Sequence, residues 1–328
     1  MRQAFRFVLP VILTGAAMAT LVAIPAFFAA MLAFAQPAAA TCTVGKLTTL
    51  PVTLQHGKVY VPVTINDTAG LFLLDTGSGE TLVNKPFAAE AGLGMDRHAG
   101  EYVYTGAGNE DTLPVFKGHA RMTHVGDVHF QDWEYGIVDL GGVAPDGKPM
   151  GGLLGMDFLH YFDLELDFVT RQATLYRLTG CTDMHPPAWT GDYDAIPLRH
   201  TPNHNLTLPV FLDNALLDME FDTGASGVLV TRAAAAKAGV TDSILAHDAA
   251  AEGNGVGGRF TMVRHHFDLL LIGGGVYPNV ELPVENAQSR RGETDGLVGL
   301  AAFKAQRVWI SFATNTLFVQ GAPKLKTK

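Results

Sequence analysis

The chain has little cysteine, little charge and no surplus of basic residues. Its 328 residues include only two cysteines, which excludes a four-cysteine zinc site and a disulfide-dense miniprotein. Lys and Arg number 23 against 32 Asp and Glu, a formal charge of −9, so no basic surface offsets the phosphates of a nucleic acid. Charged residues make up 17% and hydrophobic residues 48%. That balance excludes general disorder and supplies ample core. The positive mean hydropathy, +0.17, owes much to one segment. Residues 7–35 carry no charge, after Arg2 and Arg6, and no second uncharged run of that length follows. The segment reads as a secretory signal with a small-x-small site at Ala33-Phe34-Ala35, or as an uncleaved anchor tethering the protein to a membrane. The remainder is then expected in an extracytoplasmic space, periplasmic or secreted. There Cys42 and Cys181 are either a disulfide closing a first domain or two buried small thiols.

Catalytic-metal and nucleophile motifs are also missing. No His-Glu-x-x-His occurs among the 12 histidines; His265 and His266 are adjacent, and His200 and His204 flank a Pro-Asn loop. Ser226 lacks the Gly-x-Ser-x-Gly spacing of a nucleophile elbow, and Gly253 to Gly258 has no Lys-Ser/Thr for a phosphate loop. Neither a metal nor another cofactor is expected.

What the chain does have is a repeat. Leu71-Phe72-Leu73-Leu74-Asp75-Thr76-Gly77-Ser78 matches Asp218-Met219-Glu220-Phe221-Asp222-Thr223-Gly224-Ala225, with the aspartates 222 − 75 = 147 positions apart. The register continues into two short predicted helices. Asn84 and Thr231 are their N-caps, and Gly92 and Gly239 their C-terminal stops. Gly152-Leu153-Leu154-Gly155 matches Gly296-Leu297-Val298-Gly299. The rest reads as short strands, including hairpins at Val59–Leu74 and Leu206–Phe221. The boundaries implied are a leader at 1–35, a first lobe at 43–181, a linker at 182–192 and a second lobe at 193–325. Asp163, Glu165 and Asp167 alternate along a strand and read as a solvated face, with Asp167 capping a turn.

An aspartate ending an apolar strand needs hydrogen bonds to hold it. Thr76 or Thr223 offers a hydroxyl and an amide, and Gly77 or Gly224 permits close backbone approach. One Asp-Thr-Gly is also what an Asx-turn closing a strand looks like. Two copies in a duplicated domain point further, because a pseudo-twofold brings equivalent strand ends to one axis. Two carboxylates meeting there share a proton. Such a pair can activate a water and protonate a leaving group, as amide hydrolysis requires.

Asp75-Thr76-Gly77-Ser78 and Asp222-Thr223-Gly224-Ala225 resemble the two active-site loops of aspartic peptidases. Leu153-Leu154-Gly155 and Leu297-Val298-Gly299 resemble that family's paired hydrophobic-hydrophobic-Gly motifs. The Asp-to-Asp spacing and Gly155-Met156-Asp157-Phe158-Leu159 are closest in kind to bacterial retropepsin-like proteins. The resemblance covers about residues 50 to 325. It implies a mainly β, bilobal acid-protease fold of two duplicated barrel lobes with short helices. It implies an aspartic endopeptidase in which Asp75 and Asp222 are catalytic, with Thr76 and Thr223 bracing the loops. Lobe pairing within one chain implies a competent monomer acting on peptide or protein substrates. Ala225, lacking the hydroxyl of Ser78, implies activity at mildly acidic pH. A substrate-covering flap is expected at Tyr102 to Gly108, with Tyr102, Tyr104, Gly106 and Gly108, or around Gly255 and Gly257; ordinary hairpin turns would use the same glycines. The alternative reading is an inactive exported binding or assembly protein that keeps this fold.

Overall fold

The computed structural model describes residues 42–96, 102–104, 113–181, 189–201, 205–256, 258–285 and 294–324, with backbone alone at 102–104. The leader and most of the linker, residues 182–188, therefore lie outside the described residues. Among the described residues no helix is long and apolar enough to cross a membrane.

The described chain is mainly β, arranged as three sheets. A nine-stranded sheet is built from the first half and an eight-stranded sheet from the second. Both fold back on themselves. In the first, the Lys58–Ile65 strand pairs with both Thr68–Leu74 and Leu113–Val125. In the second, Leu206–Leu212 pairs with both Ala215–Phe221 and Gly258–Ile272. The turns that start the two folds are alike. Asn66 and Asp67 take φ of 45° and 71°, and Asp213 takes 48°. These left-handed conformations favour Asn, Asp and Gly and match strand twist in a tight hairpin.

At the heart of each half a three-residue strand is threaded between two neighbours. Gly152–Leu154 runs parallel to Thr68–Leu74 and antiparallel to Leu82–Asn84. Gly296–Val298 does the same between Ala215–Phe221 and Val228–Val230. All three residues of Gly152–Leu154 and of Gly296–Val298 are buried. The glycines are required by this threading. A Cβ at Gly152 would lie 2.1 Å from the Leu82 carbonyl oxygen, and one at Gly296 would lie 2.1 Å from that of Leu229.

The two predicted helices form at Lys85–Glu90 and Arg232–Lys237. Thr231 caps the second by accepting from the Ala234 amide. Asn84 occupies the cap position but spends its side chain elsewhere: it donates to the Met150 carbonyl (2.9 Å) and accepts from the Leu140 amide (3.1 Å). Gly92 and Gly239, with φ of 65° and 93°, end the helices.

The third sheet joins the halves. Its six strands run Thr43–Pro51, Gln172–Thr179, Asp163–Asp167, Arg307–Ser311, Thr316–Gln320 and Asp194–Pro197, three from each half. Its centre is the antiparallel pairing of Asp163–Asp167 with Arg307–Ser311. The solvated face expected for Asp163, Glu165 and Asp167 is not found. Period-two alternation does put the three on one side, but tryptophans and a tyrosine cover Asp163 and Glu165, and Arg307 pairs with Asp167. Asp163 is buried and accepts from Trp309 Nε1 (3.0 Å) and the Phe312 and Ala313 amides (3.0 and 3.2 Å). Glu165 accepts from Tyr176 and Trp189 (2.8 and 2.7 Å). Asp167 does cap a turn, accepting from the amides of Val169 and Thr170 (both 2.9 Å).

Cys42 and Cys181 form a disulfide beside the Thr43–Pro51/Gln172–Thr179 pairing, closing a sequence separation of 139. Cross-linking so long a loop removes much chain entropy from the unfolded state. The Cys42→Ser/Cys181→Ser double variant is expected to lose about 2–5 kcal/mol of stability. Denaturant unfolding with and without reductant checks this: wild type should fall to the variant's midpoint when reduced, and the variant should not move.

Candidate active site

Asp75 and Asp222 end equivalent strands and are held in equivalent ways. The Asp75 amide donates to the Leu154 carbonyl and the Asp222 amide to that of Val298, both at 3.0 Å. Each carboxylate accepts from the glycine two residues on, Asp75 from Gly77 at 3.0 Å and Asp222 from Gly224 at 2.8 Å. These local bonds fix where each side chain points before its partner is considered.

The threonines then tie one loop to the other. Thr76 Oγ1 donates to the Phe221 carbonyl (2.7 Å) and accepts from the Thr223 amide (3.1 Å). Thr223 Oγ1 donates to the Leu74 carbonyl (2.8 Å) and accepts from the Thr76 amide (3.0 Å). Both threonines are fully buried. Four reciprocal bonds with every donor and acceptor matched make a rigid link in a low-dielectric setting.

Across that link the two aspartates face each other, each carboxyl packed against the glycine of the opposite loop. The approach is set by glycine: a Cβ at Gly77 would stand 2.6 Å from Asp222 Cγ, and one at Gly224 would stand 2.5 Å from Asp75 Oδ1. Asp75 is buried, whereas Asp222 is partly open. Burial and the charge of Asp222 push the Asp75 carboxyl well above the usual carboxylate range. The Gly77 amide and the Lys58 ammonium oppose this. Two carboxyl groups held this close cannot comfortably both ionise. The arrangement can therefore accept a proton and donate one at adjacent oxygens.

The pair opens into a cavity of about 370 Å³, within the range of ligand sites. Its wall mixes polar and apolar surface, the apolar part coming from Leu73 of the first half and Leu229, Phe260, Met262 and Leu297 of the second. The hairpin of Ala249–Gly255 with Gly258–Ile272 brings Gly253, Asn254, Gly255 and Val256 to the same cavity.

Of the residues singled out in the sequence, Asp75, Thr76, Gly77, Asp222, Thr223 and Gly224 are brought together, and Ala225 and Gly255 line the cavity. Ser78 is buried and donates to the Glu80 carbonyl (2.7 Å). Tyr102 and Tyr104 lie on a strand pairing with Leu113–Val125. Gly106, Gly108 and Gly257 lie outside the described residues. The histidines are engaged separately, His200 with Asn315 (2.9 Å) and His265 with Asp248 (2.7 Å), while His204 lies outside the described residues. Among the described residues no three His, Cys, Asp or Glu side chains are grouped to hold a metal ion.

Two contributors carry no sequence signal. Thr81, through its amide and hydroxyl, donates to Asp157 (2.8 and 2.6 Å) and its hydroxyl accepts from Gly155 (3.1 Å), tying the Asp75 loop to the segment after Gly152–Leu154. Lys58 lines the cavity from a hairpin that no motif marks.

A family model described as aspartyl protease matches residues 61–158 and 208–302. The chain belongs to the aspartyl protease family, and it carries the family's domain twice. Among solved structures it is similar to an aspartic proteinase from Irpex lacteus, at 14% identity and a TM-score of 0.48, over 87% of this chain and 99% of that one. No curated protein matches it.

Proposed function

We propose that this protein is an aspartic endopeptidase that hydrolyses peptide bonds through a water activated by Asp75 and Asp222. The observation that carries this reading is the meeting of two carboxyl groups, one from each half, on loops interlocked through Thr76 and Thr223 and lining one cavity. The ionised member takes a proton from the water as it attacks the carbonyl carbon. The neutral member donates toward the carbonyl oxygen, and a proton is delivered to the leaving nitrogen as the C–N bond breaks. Thr76 and Thr223 hold the geometry, so the chemistry needs no reorganisation at the moment of reaction.

Both carboxylates come from one chain, which favours a competent monomer of two lobes, residues 43–181 and 193–325. The Asp spacing and the Gly155–Leu159 segment favour a retropepsin-like subtype. An exported location, periplasmic or secreted, or a tether through residues 7–35, is favoured by the leader and by a disulfide that persists in oxidising surroundings.

A peptide library cleaved between pH 3 and 8, with and without a statine-type inhibitor, tests the reading. The raised Asp75 carboxyl keeps its proton into mildly acidic solution, so inhibitor-sensitive cleavage is expected there. It should decline toward alkaline pH as the shared proton is lost. Cleavage insensitive to the inhibitor, or none at any pH, would overturn the assignment.

A further inference from the structure

The hairpin that carries Lys58 is pressed against the opposite half. Thr53–Gln55 and Lys58–Ile65 are joined by His56 and Gly57, with φ of 51° and 79°. A Cβ at Gly57 would stand 2.8 Å from the Ser226 carbonyl oxygen and 2.8 Å from Ala301 Cβ. A first-half turn is thus wedged onto the second-half loop that follows Asp222. The wedge leaves little freedom in where the next residue begins, and that residue is Lys58.

Lys58 is partly buried and lines the same cavity as Asp75 and Asp222. Among the described residues no carboxylate forms an ion pair with it. Asp75 feels its charge. Asp75, Asp222 and Lys58 are the only charged side chains among the described residues lining the cavity, whose other side chains are apolar save Ser226 and Asn254. A ligand filling this space would strip water from an ammonium that has no counter-charge in contact, which is costly unless the ligand supplies one. A cationic group placed beside Lys58 would be repelled by it.

We propose that Lys58 is a specificity-determining residue that selects peptides presenting a carboxylate in the cleft, alongside an apolar side chain against the Leu229–Met262–Leu297 wall. The carboxylate is that of an Asp or Glu side chain or of the peptide's own C-terminus. This rests on the cleft being the peptide site, as read above, but not on turnover.

The test is therefore made by binding. Octapeptides with a hydroxyethylene replacement of the central amide cannot be cleaved. A set with Glu or Gln at one position at a time, each as C-terminal acid and amide, is titrated against wild type, Lys58→Met, Lys58→Arg and Lys58→Glu. Wild type is expected to favour Glu over Gln at one position, or acid over amide, by about tenfold, the scale of one close charge pair. Lys58→Arg should keep the preference, Lys58→Met should erase it, and Lys58→Glu should invert it. A Glu effect identifies a side-chain carboxylate and an acid-over-amide effect a terminal one. The same ranking in all four proteins, or no binding of any peptide to wild type, would overturn the proposal. Failure of hydrolysis with the binding pattern intact would instead count against the endopeptidase reading.

Discussion

Asp222→Asn is expected to lower peptide hydrolysis by about 10⁴-fold, the upper range for losing a positioned acid or base. Asp75→Asn should do the same, and the double variant little worse than either alone, because the pair acts as one unit. Steady-state cleavage of one library-selected peptide measures this. Equal rates in wild type and both variants would remove the carboxylate pair from the mechanism.

The same Asp75 variant should move stability the other way. The Asp75 carboxyl is raised in the folded protein by burial and by the charge of Asp222. In the unfolded chain it returns to about 3.9. Between these values the folded state binds more protons than the unfolded state, so the Asp75 contribution to stability falls as pH rises through that window. Below the unfolded value both states are protonated and the contribution is constant. Asparagine imitates the protonated carboxyl: its oxygen can accept from Gly77 and its amide can donate to Asp222. Asp75→Asn should therefore unfold at a higher temperature than wild type at pH 7, with the difference shrinking toward pH 3. Thermal unfolding across that range checks it; a destabilised variant at every pH would mean that ionising the buried Asp75 carries no cost to the fold.

Gly224→Ala is expected to cost about 10²-fold in activity, on the order of what a 1 Å misplacement of reacting groups does, and about 1–3 kcal/mol in stability from overpacking. Its added Cβ would lie 2.5 Å from Asp75 Oδ1 and 2.6 Å from Cγ. The obstacle is the carboxyl group of a buried side chain rather than the free end of a flexible one, so the two loops must separate. Gly77→Ala should behave alike, since its Cβ would meet the Asp222 carboxyl at 2.6 to 2.9 Å. Gly79→Ala is the control. Nothing lies within 4 Å of its Cβ, so stability should change by less than about 0.5 kcal/mol. If Gly224→Ala and Gly79→Ala behave alike, the close approach of the loops is not needed for activity.

Much of this architecture was written locally. The hairpins, the helix stops at Gly92 and Gly239 and the buried three-residue strands follow from turn residues, short apolar runs and glycine, whose effects operate within a few residues. The duplication was visible as a register of identical residue types. Asn84 shows the limit of local reading: its position beside a helix start is a cap position, yet its side chain serves the Leu140 and Met150 backbone. The choice is made by partners 56 and 66 residues away. Asp163, Glu165 and Asp167 show it again. Alternation correctly places them on one face, but whether that face meets water depends on Trp309, Trp189 and Tyr176, which no spacing announces.

By itself, then, the sequence determined a twice-used β unit with an Asp-Thr-Gly loop in each copy, a charge-free run at residues 7–35 and one pair of cysteines. Only the tertiary structure decided that the two loops interlock through Thr76 and Thr223, that Asp75 is more buried than Asp222, and that the cysteines are joined. It alone brought Lys58 into the cleft. The physical reason is range: backbone preference and periodicity act between near neighbours, whereas proton sharing, desolvation and charge complementarity depend on distances across space between residues more than a hundred positions apart.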